Sequence, residues 1–343
     1  MTGSQRKIVT KLAQERGLVI VDPDHLTIKR LRCSKGFRFV RATGTAIRDR
    51  PEIARLKALA VPPAYVNVRF AANPKAHLQA VGEDAAGRLQ YRYHALWTEV
   101  REALKAQRLA DLAKSLPAIR RAVGRGLASE ETDHQFAVAA MIELVRLTSI
   151  RAGSESYARE HGTRGASTLL KSDIQIVGGC VKLQFRAKGG TLVLKEVRER
   201  RFRAAAERLL ALPGRRLFQH RDEQGNVRLV RAADCNKFLQ SVTDRRISLK
   251  DFRTLVASSG VLVALAATAP ATSVRARKSQ VRSAVVAAAE ELTNTPTVCR
   301  ASYVHDAVVA AFEEGALASF GKQRRSAAAS ARTLVRIVAK HAA

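Results

Sequence analysis

The sequence is short of acid. Thirty Asp and Glu stand against sixty Lys and Arg in 343 residues, leaving a net charge of +30 and a pI near 11.1. A chain so lacking in counter-charge has a polyanion as its natural partner, and nucleic acid leads. An anionic membrane is the weaker choice, because no segment joins a basic face to aromatic anchors. No apolar run reaches bilayer length; the best, Gly260 to Ala269, stops at Pro270. The first residues, Met-Thr-Gly-Ser-Gln-Arg-Lys, lack the apolar core of a secretion signal. Cys33, Cys180, Cys235 and Cys299 form no C-x-x-C pair and have no His at ligand spacing. They read as reduced, mostly buried thiols of a cytosolic protein, and a structural zinc site is not expected.

Motifs for nucleotide and metal chemistry are missing too. Gly315 to Lys322 has one residue too many between its glycines for a phosphate-binding loop, and Gln323 stands where Ser or Thr is needed. Gly124-Arg125-Gly126 has Ser129 in place of the third glycine of a dinucleotide fingerprint. There is no H-E-x-x-H and no nucleophile elbow. Asp22-Pro23-Asp24 reads as a turn rather than a carboxylate pair for metal. ATP, NAD and a catalytic metal are all disfavoured, so no cofactor is expected. An enzyme here would work with side chains alone.

Apolar residues are present in ordinary proportion, 46%, enough for two domains each with a core. Leu18–Val21, Phe37–Arg41, Tyr65–Phe70 and Leu89–Tyr93 alternate or are β-branched and aromatic, which predicts short strands, with a helix from about Pro51 to Ala60. From His94 the pattern turns helical: apolar residues recur at three- and four-residue steps over Trp97–Leu112 and Phe136–Leu147. Ile174–Val177, Val181–Phe185 and Thr191–Leu194 are extended again, broken at Gly178-Gly179 and Gly189-Gly190, and predict a three-stranded sheet. Helices resume at about 198–211, 231–243, 250–268 and 279–292. The fold class is therefore α+β. A sheet-rich domain (1–95) precedes a mainly helical one (96–320), and a basic tail follows (321–343). In that tail Ser326–His341 predicts a helix carrying Arg332, Arg336 and Lys340, either solvated or touching DNA; Lys322, Arg324 and Arg325 precede it.

Attack on a phosphodiester without metal needs a nucleophile, cations on the non-bridging oxygens and an acid for the departing oxygen. Thr295-Pro296 is a helix start, an N-cap hydroxyl followed by Pro at the first position, and it places Tyr303 about two turns into a helix. Asn294 lies just outside that start and Arg300 between the two. A phenol can attack phosphorus and form a phosphoester. Arginine forks match phosphate oxygens, and lysine serves as an acid when nearby cations lower its pKa. Arg151 follows the buried helix, Lys188 sits at the hairpin tip, and Lys250 and Arg253 lie one turn apart at the start of a long helix. Each is weak alone. Their order along the chain makes a set.

That set resembles the type IB DNA topoisomerases of the poxvirus-like and bacterial branch. The likeness covers about residues 18 to 315. It rests on Gly36-Phe-Arg-Phe, Ile53 to Pro63, His77-Leu-Gln-Ala and Gln90-Tyr-Arg-Tyr-His94 in the N-terminal part. In the C-terminal part it rests on Ile150-Arg-Ala-Gly, Tyr157-Ala-Arg-Glu-His161, Phe185-Arg-Ala-Lys-Gly-Gly, Leu217-Phe-Gln, Lys250-Asp-Phe-Arg-Thr254 and Asn294-Thr-Pro to Tyr303. The resemblance implies that Tyr303 becomes joined to a 3′-phosphate, that Arg151 and Arg253 hold that phosphate, and that Lys188 protonates the 5′-oxygen. It implies a secondary active-site role for Lys250, and a phosphate-donor role for Asn294, where many relatives carry His. Gln90, Tyr91, Tyr93 and Tyr157 are the implied DNA contacts.

The implied activity is relaxation of supercoiled duplex DNA by reversible cleavage of one strand, without ATP or an obligatory metal. The implied protein is a monomer clamping double-stranded DNA in the bacterial nucleoid, with no membrane partner. Three departures stand out: Ala187 before the hairpin lysine, Leu255 to Gly260 in place of a Trp-containing segment, and Asp306 where bacterial relatives often have Pro. Two rivals remain. A tyrosine recombinase shares the layout but usually has His where Lys250 stands, and a non-catalytic DNA-packaging protein would need only the charge.

Overall fold

The structure, a computed structural model, describes residues 3–34, 36–320 and 326–342. The expected tail cations Lys322, Arg324 and Arg325 lie outside the described residues. The chain divides into two compact units, Met1–Leu104 and Lys105–Ala343. The division falls inside a helix rather than at residue 95, where the sequence pattern changes. Trp97 and Leu104 pack with Val100, Ala13 and Leu18 in a small core of the first unit, so the helix's opening turns belong there.

The first unit opens with α1 (Gly3–Gln14) and is built on β1 (Ile28–Cys33), β2 (Gly36–Val40), β3 (Val66–Phe70), β4 (Leu78–Glu83) and β5 (Leu89–Tyr93). These form one antiparallel sheet in the order β2-β1-β3-β4-β5. Helix α2 (Arg50–Ala58) starts at Asp49, whose carboxylate accepts from the Glu52 amide at 2.9 Å, with Pro51 in its first turn. Its Leu56 packs with Ile28, Phe39, Val68 and Phe70, the two phenylalanines meeting edge to face at 5.5 Å.

Two strands escape the sequence pattern for opposite reasons. The face of β1 is diluted by exposed Lys and Arg, whereas β4 is buried on both sides and shows no alternation. Its Gln79 amide donates to the carbonyls of Pro74 and Ala76, which lets a polar side chain sit inside. The expected strand at Leu18–Val21 is instead a single bridge, Val19 to Ala76, because the Asp22-Pro23 turn follows at once. The helix α1 was not legible in the sequence pattern.

Helix α3 (Trp97–Leu127) runs on into the second unit, whose centre is α4 (His134–Thr148). Asp133 caps α4 by accepting from the Phe136 amide at 2.7 Å, and every residue from Phe136 to Val145 is buried. After α5 (Glu155–His161), β6 (Ile174–Val177), β7 (Cys180–Arg186) and β8 (Leu192–Val197) form the expected antiparallel sheet, in sequence order. Then come α6 (Arg200–Ala211), a hairpin of β9 (Gln219–Arg221) and β10 (Val227–Leu229), α7 (Ala232–Thr243), α8 (Leu249–Ala266) and α9 (Val274–Glu291). Helices α10 (Pro296–Ser302), α11 (Asp306–Glu313) and α12 (Ala327–Ala342) complete the unit. One core joins α4, both faces of the helical layer and the inner face of the sheet. The whole is α+β, as the sequence predicts.

The terminal helix is not a solvated tail. Ala331, Leu334, Ile337 and Val338 of α12 are buried in the common core, while Arg332, Arg336 and Lys340 face outward. Composition hid this, because a helix of small residues buries a stripe without a conspicuous apolar run.

The turn after α4 is set by close backbone approach. Ser149 takes a left-handed conformation (φ 54°), and Arg151 and Ala152 then accept from the amides of Ala166 and Ser167 at 2.8 Å each. A Cβ on Gly165 would lie 2.6 Å from the Arg151 carbonyl oxygen and 2.6 Å from the Gly153 nitrogen. Only glycine fits there.

Leu334→Ala should destabilise the protein by about 2–5 kcal/mol through the cavity it leaves, read as a lower urea midpoint; an unchanged midpoint would mean α12 is a dispensable tail. Gly165→Ala should cost about 1–3 kcal/mol by overpacking. Gly260→Ala, on an exposed helical site with nothing within 4 Å, should instead stabilise by about 0.5–1 kcal/mol. Equal effects at the two glycines would contradict the close-approach argument.

Candidate active site

Arg253 is fixed by the second turn of α8 and is only 2% exposed. Its terminal nitrogens donate to the carbonyls of Ser149 and, at 3.1 Å, Leu292. Its Nε is buried without a partner. Helix α10 and its sequel bring Tyr303 over this group, with the guanidinium carbon 4.9 Å from the ring centroid. The tyrosine is itself 8% exposed. Arg151, held by the turn described above, faces the same phenol.

The electrostatics follow from that geometry. Burial alone would push the Tyr303 phenol up. The charges of Arg253 and Arg151, with the hydrogen bonds they offer, outweigh it and hold the phenol below its ordinary value. Burial in turn presses the Arg253 guanidinium down, with the phenol opposing, though a guanidinium remains a cation throughout the physiological range. A buried hydroxyl is thus made more acidic than a solvated one.

Asn294 completes the pocket. Its Oδ1 accepts from Nη2 of Arg151. An arginine can only donate, so the amide nitrogen must face the other way. That nitrogen is buried and has no partner. Two buried donors, Nε of Arg253 and Nδ2 of Asn294, are therefore unspent beside the phenol. A phosphate oxygen is the kind of acceptor such donors fit. Lys250 is exposed at the start of α8, with Nζ 5.9 Å from the Tyr303 ring centroid.

Two sequence expectations are corrected. Tyr303 does not lie within a helix: α10 ends at Ser302, and Tyr303 is its C-cap with φ −127° and ψ −26°. The Thr295-Pro296 start is as predicted, with Thr295 accepting from the Val298 amide, but the helix is only two turns long. Arg300 does not join the phenol; it pairs with Asp306 at 2.5 Å, and the cations come from Arg151 and Arg253 instead. Lys188 is exposed at the tip of the β7–β8 turn, and its Nζ stands 5.0 Å over the ring of Tyr157. Among the described residues no hydrogen bond or ring contact links it to Tyr303, while Arg151, Arg253, Asn294 and Lys250 lie around the phenol.

The sequence pattern missed one residue of this neighbourhood. Ser258, in α8 and 0% exposed, donates from Oγ to the Tyr303 carbonyl at 2.8 Å and accepts from the His305 amide at 3.1 Å. A serine in an apolar helical stretch carries no distinguishing signal except that its hydroxyl must find a partner when buried.

The remaining expected contacts divide by unit. Tyr157 is half-buried on α5, with its ring 4.4 Å from that of His161. In the first unit β5 is an edge strand. Tyr91 and Tyr93 stack at 6.2 Å along one of its faces, and Tyr93 stacks on Trp97 at 6.0 Å. Gln90 points to the opposite face, its amide donating to Asp84 at 2.9 Å. Both tyrosines remain substantially exposed. Among the described residues no group of three or more His, Cys, Asp or Glu side chains is placed to hold a metal ion, and no helix is long and apolar enough to cross a membrane.

Residues 95–329 match the family described as eukaryotic DNA topoisomerase I, catalytic core, and residues 36–84 match the bacterial DNA topoisomerase IB N-terminal domain. DNA topoisomerase 1B of Acanthamoeba polyphaga mimivirus is 34% identical over 218 residues, spanning 62% of this chain and 65% of that protein, just under two thirds of its length. With the catalytic-core match covering more than half of the sequence and taking in every residue of the phenol pocket, the chain belongs to the type IB DNA topoisomerase family.

Proposed function

We propose that the protein relaxes supercoiled duplex DNA by reversible transesterification through Tyr303. The observation that carries this reading is a buried phenol held below its ordinary pKa by two arginines, with unpartnered donors beside it. The Tyr303 oxygen attacks a backbone phosphorus, forming a 3′-phosphotyrosyl bond as the bond to the 5′-oxygen breaks. Arg151, Arg253 and the Asn294 amide take the non-bridging oxygens, where charge develops. Lys188 gives its proton to the departing 5′-oxygen, after the β7–β8 turn brings it from Tyr157 to the phosphate. Lys250 adds positive charge at the rim. The free end swivels, and the same groups in reverse reseal the strand. The bond energy stays in the phosphotyrosine, so neither ATP nor a metal need supply it.

DNA is the substrate this charge distribution suits, held chiefly through phosphates. Tyr157 on the second unit, and Tyr91, Tyr93 and Gln90 on the first unit, are the proposed local contacts. A monomer acting in the cytoplasm, at the bacterial nucleoid, is the working state we infer.

Wild-type protein should relax a plasmid in EDTA, and Tyr303→Phe should not, while binding DNA as before. Binding without relaxation by the wild type would leave only a packaging role. A covalent complex trapped with the mutant would move the nucleophile elsewhere. Arg253→Ala should cost about 10²–10³ in cleavage rate, the loss typical of one preorganised donor. Lys188→Ala should recover on a substrate with sulfur at the 5′-bridging position, which needs no acid; no recovery would remove its assigned role. Opposite charge favours the ionised phenol, so the tyrosinate titration difference between wild type and Tyr303→Phe should fall below the ordinary value of about 10. Arg151→Gln should move that difference upward.

A further inference from the structure

We propose that Ser258 is a positioning residue: its hydroxyl fixes the Tyr303–His305 segment to α8 and so sets the phenol against Arg253. This rests on the activity proposed above and deepens it. Tyr303 is only weakly held by its own element. As the C-cap of α10 it has left helical geometry, its own amide donating back to Cys299 at 2.9 Å. Its carbonyl points onward, out of the helix. What receives that carbonyl is Ser258 Oγ at 2.8 Å, and the same oxygen accepts the His305 amide at 3.1 Å. One hydroxyl thus satisfies two backbone groups on either side of Val304, which is itself fully buried. Nζ of Lys105 donates to the Val304 carbonyl at 3.3 Å, so three successive residues are tied down.

The helix that holds the segment also holds the arginine. Arg253 and Ser258 are five positions apart on α8, and a helix is a stiff ruler over that span. Phenol and guanidinium therefore keep their separation because both are referred to one element, not to the loops between them. Without the hydroxyl, the Tyr303 carbonyl and the His305 amide lose a shared buried partner. The segment must then shift to find others, and the ring moves with it. Misplacement of about 1 Å is enough to cost some 10²-fold in rate.

The groups facing the phenol are Arg253 and Lys250 from α8 and Arg151 from the turn after α4, while the buried Cys299 of α10 lies beside Arg253. All three charged groups are cations. A phenol displaced from them, yet still buried, ionises at higher pH.

The test compares Ser258→Ala, Ser258→Thr and Ser259→Ala with wild type. Ser259 is the built-in control: its Oγ is buried one residue along and has no hydrogen-bond partner. Covalent-adduct formation on supercoiled plasmid, with enzyme in excess, gives the rate at saturation. Binding is measured separately, and the Tyr303 titration is read as the tyrosinate difference from the matching Tyr303→Phe background, which needs no catalysis. Ser258→Ala should lower the saturated rate by about 10- to 100-fold, leave affinity within about twofold, and move both the titration and the alkaline limb of the rate upward. Ser258→Thr, which keeps the hydroxyl, should recover most of the rate; Ser259→Ala should change neither readout. An unmoved titration and pH limb in Ser258→Ala, with any lost rate accounted for by a smaller folded fraction, overturns the proposal. Wild type that forms no adduct overturns the activity instead, and the titration still decides whether Ser258 positions the ring.

Discussion

A cation removed from water is the constraint around which this protein is arranged. Arg253 is almost wholly buried, and a buried charge is tolerable only with partners that replace its hydration. Two backbone carbonyls, those of Ser149 and Leu292, and the Tyr303 ring supply part of that replacement. They come from three places in the chain: the turn after α4, the end of α9 and the end of α10. The guanidinium is thus the point at which separate elements are made to meet. It is also incompletely satisfied, because Nε has no acceptor. In the function we propose, that open nitrogen is a donor left for a phosphate oxygen.

The same incompleteness recurs at Asn294. Its oxygen is spent on Arg151, and its amide hydrogens are left buried and unpaired. A neutral amide of this kind can donate a hydrogen bond without transferring a proton. Together the two unspent donors and two guanidiniums form a preorganised electrostatic pocket, which in the proposed reaction would need little rearrangement when charge develops on a phosphate. The phenol gains from the same field, since cations that stabilise a transition state also stabilise the phenolate.

Lys188 is organised differently. It stands at a turn whose Gly189 and Gly190 both take left-handed conformations, and its ammonium rests over an aromatic ring rather than beside the phosphate pocket. Arg253 is fixed by a packed helix, and Tyr303 and Arg151 by the backbone just beyond one, whereas Lys188 is carried by a hairpin tip. In the reaction we propose, this division ties proton delivery to the arrival of DNA while the phenol is held ready. The first unit adds a further contrast. Exposed Tyr91 and Tyr93 stack along its edge strand, and Tyr93 stacks in turn on the partly buried Trp97 that opens α3.

Much of this was legible in the residues taken alone. The charge excess named a polyanion, glycine pairs placed the hairpins of the second unit, and Thr295-Pro296 placed a helix start, because each depends on local chemistry that travels with the sequence. The identity of the phenol, the two arginines and the amide was readable as an ordered set. What the residues could not declare was which of many cations would be buried. Arg300 is close to Tyr303 along the chain yet turns to Asp306, while Arg151 and Arg253 reach the phenol from distant segments. Nor could they show that α12 completes a core, that Gly165 is pressed against the Arg151 carbonyl, or that a plain serine hydroxyl holds the backbone at Tyr303 and His305. Those facts depend on contacts between residues far apart in the chain. Side-chain type fixes what a group is able to do; burial and neighbours, which only the tertiary structure supplies, decide whether it does it.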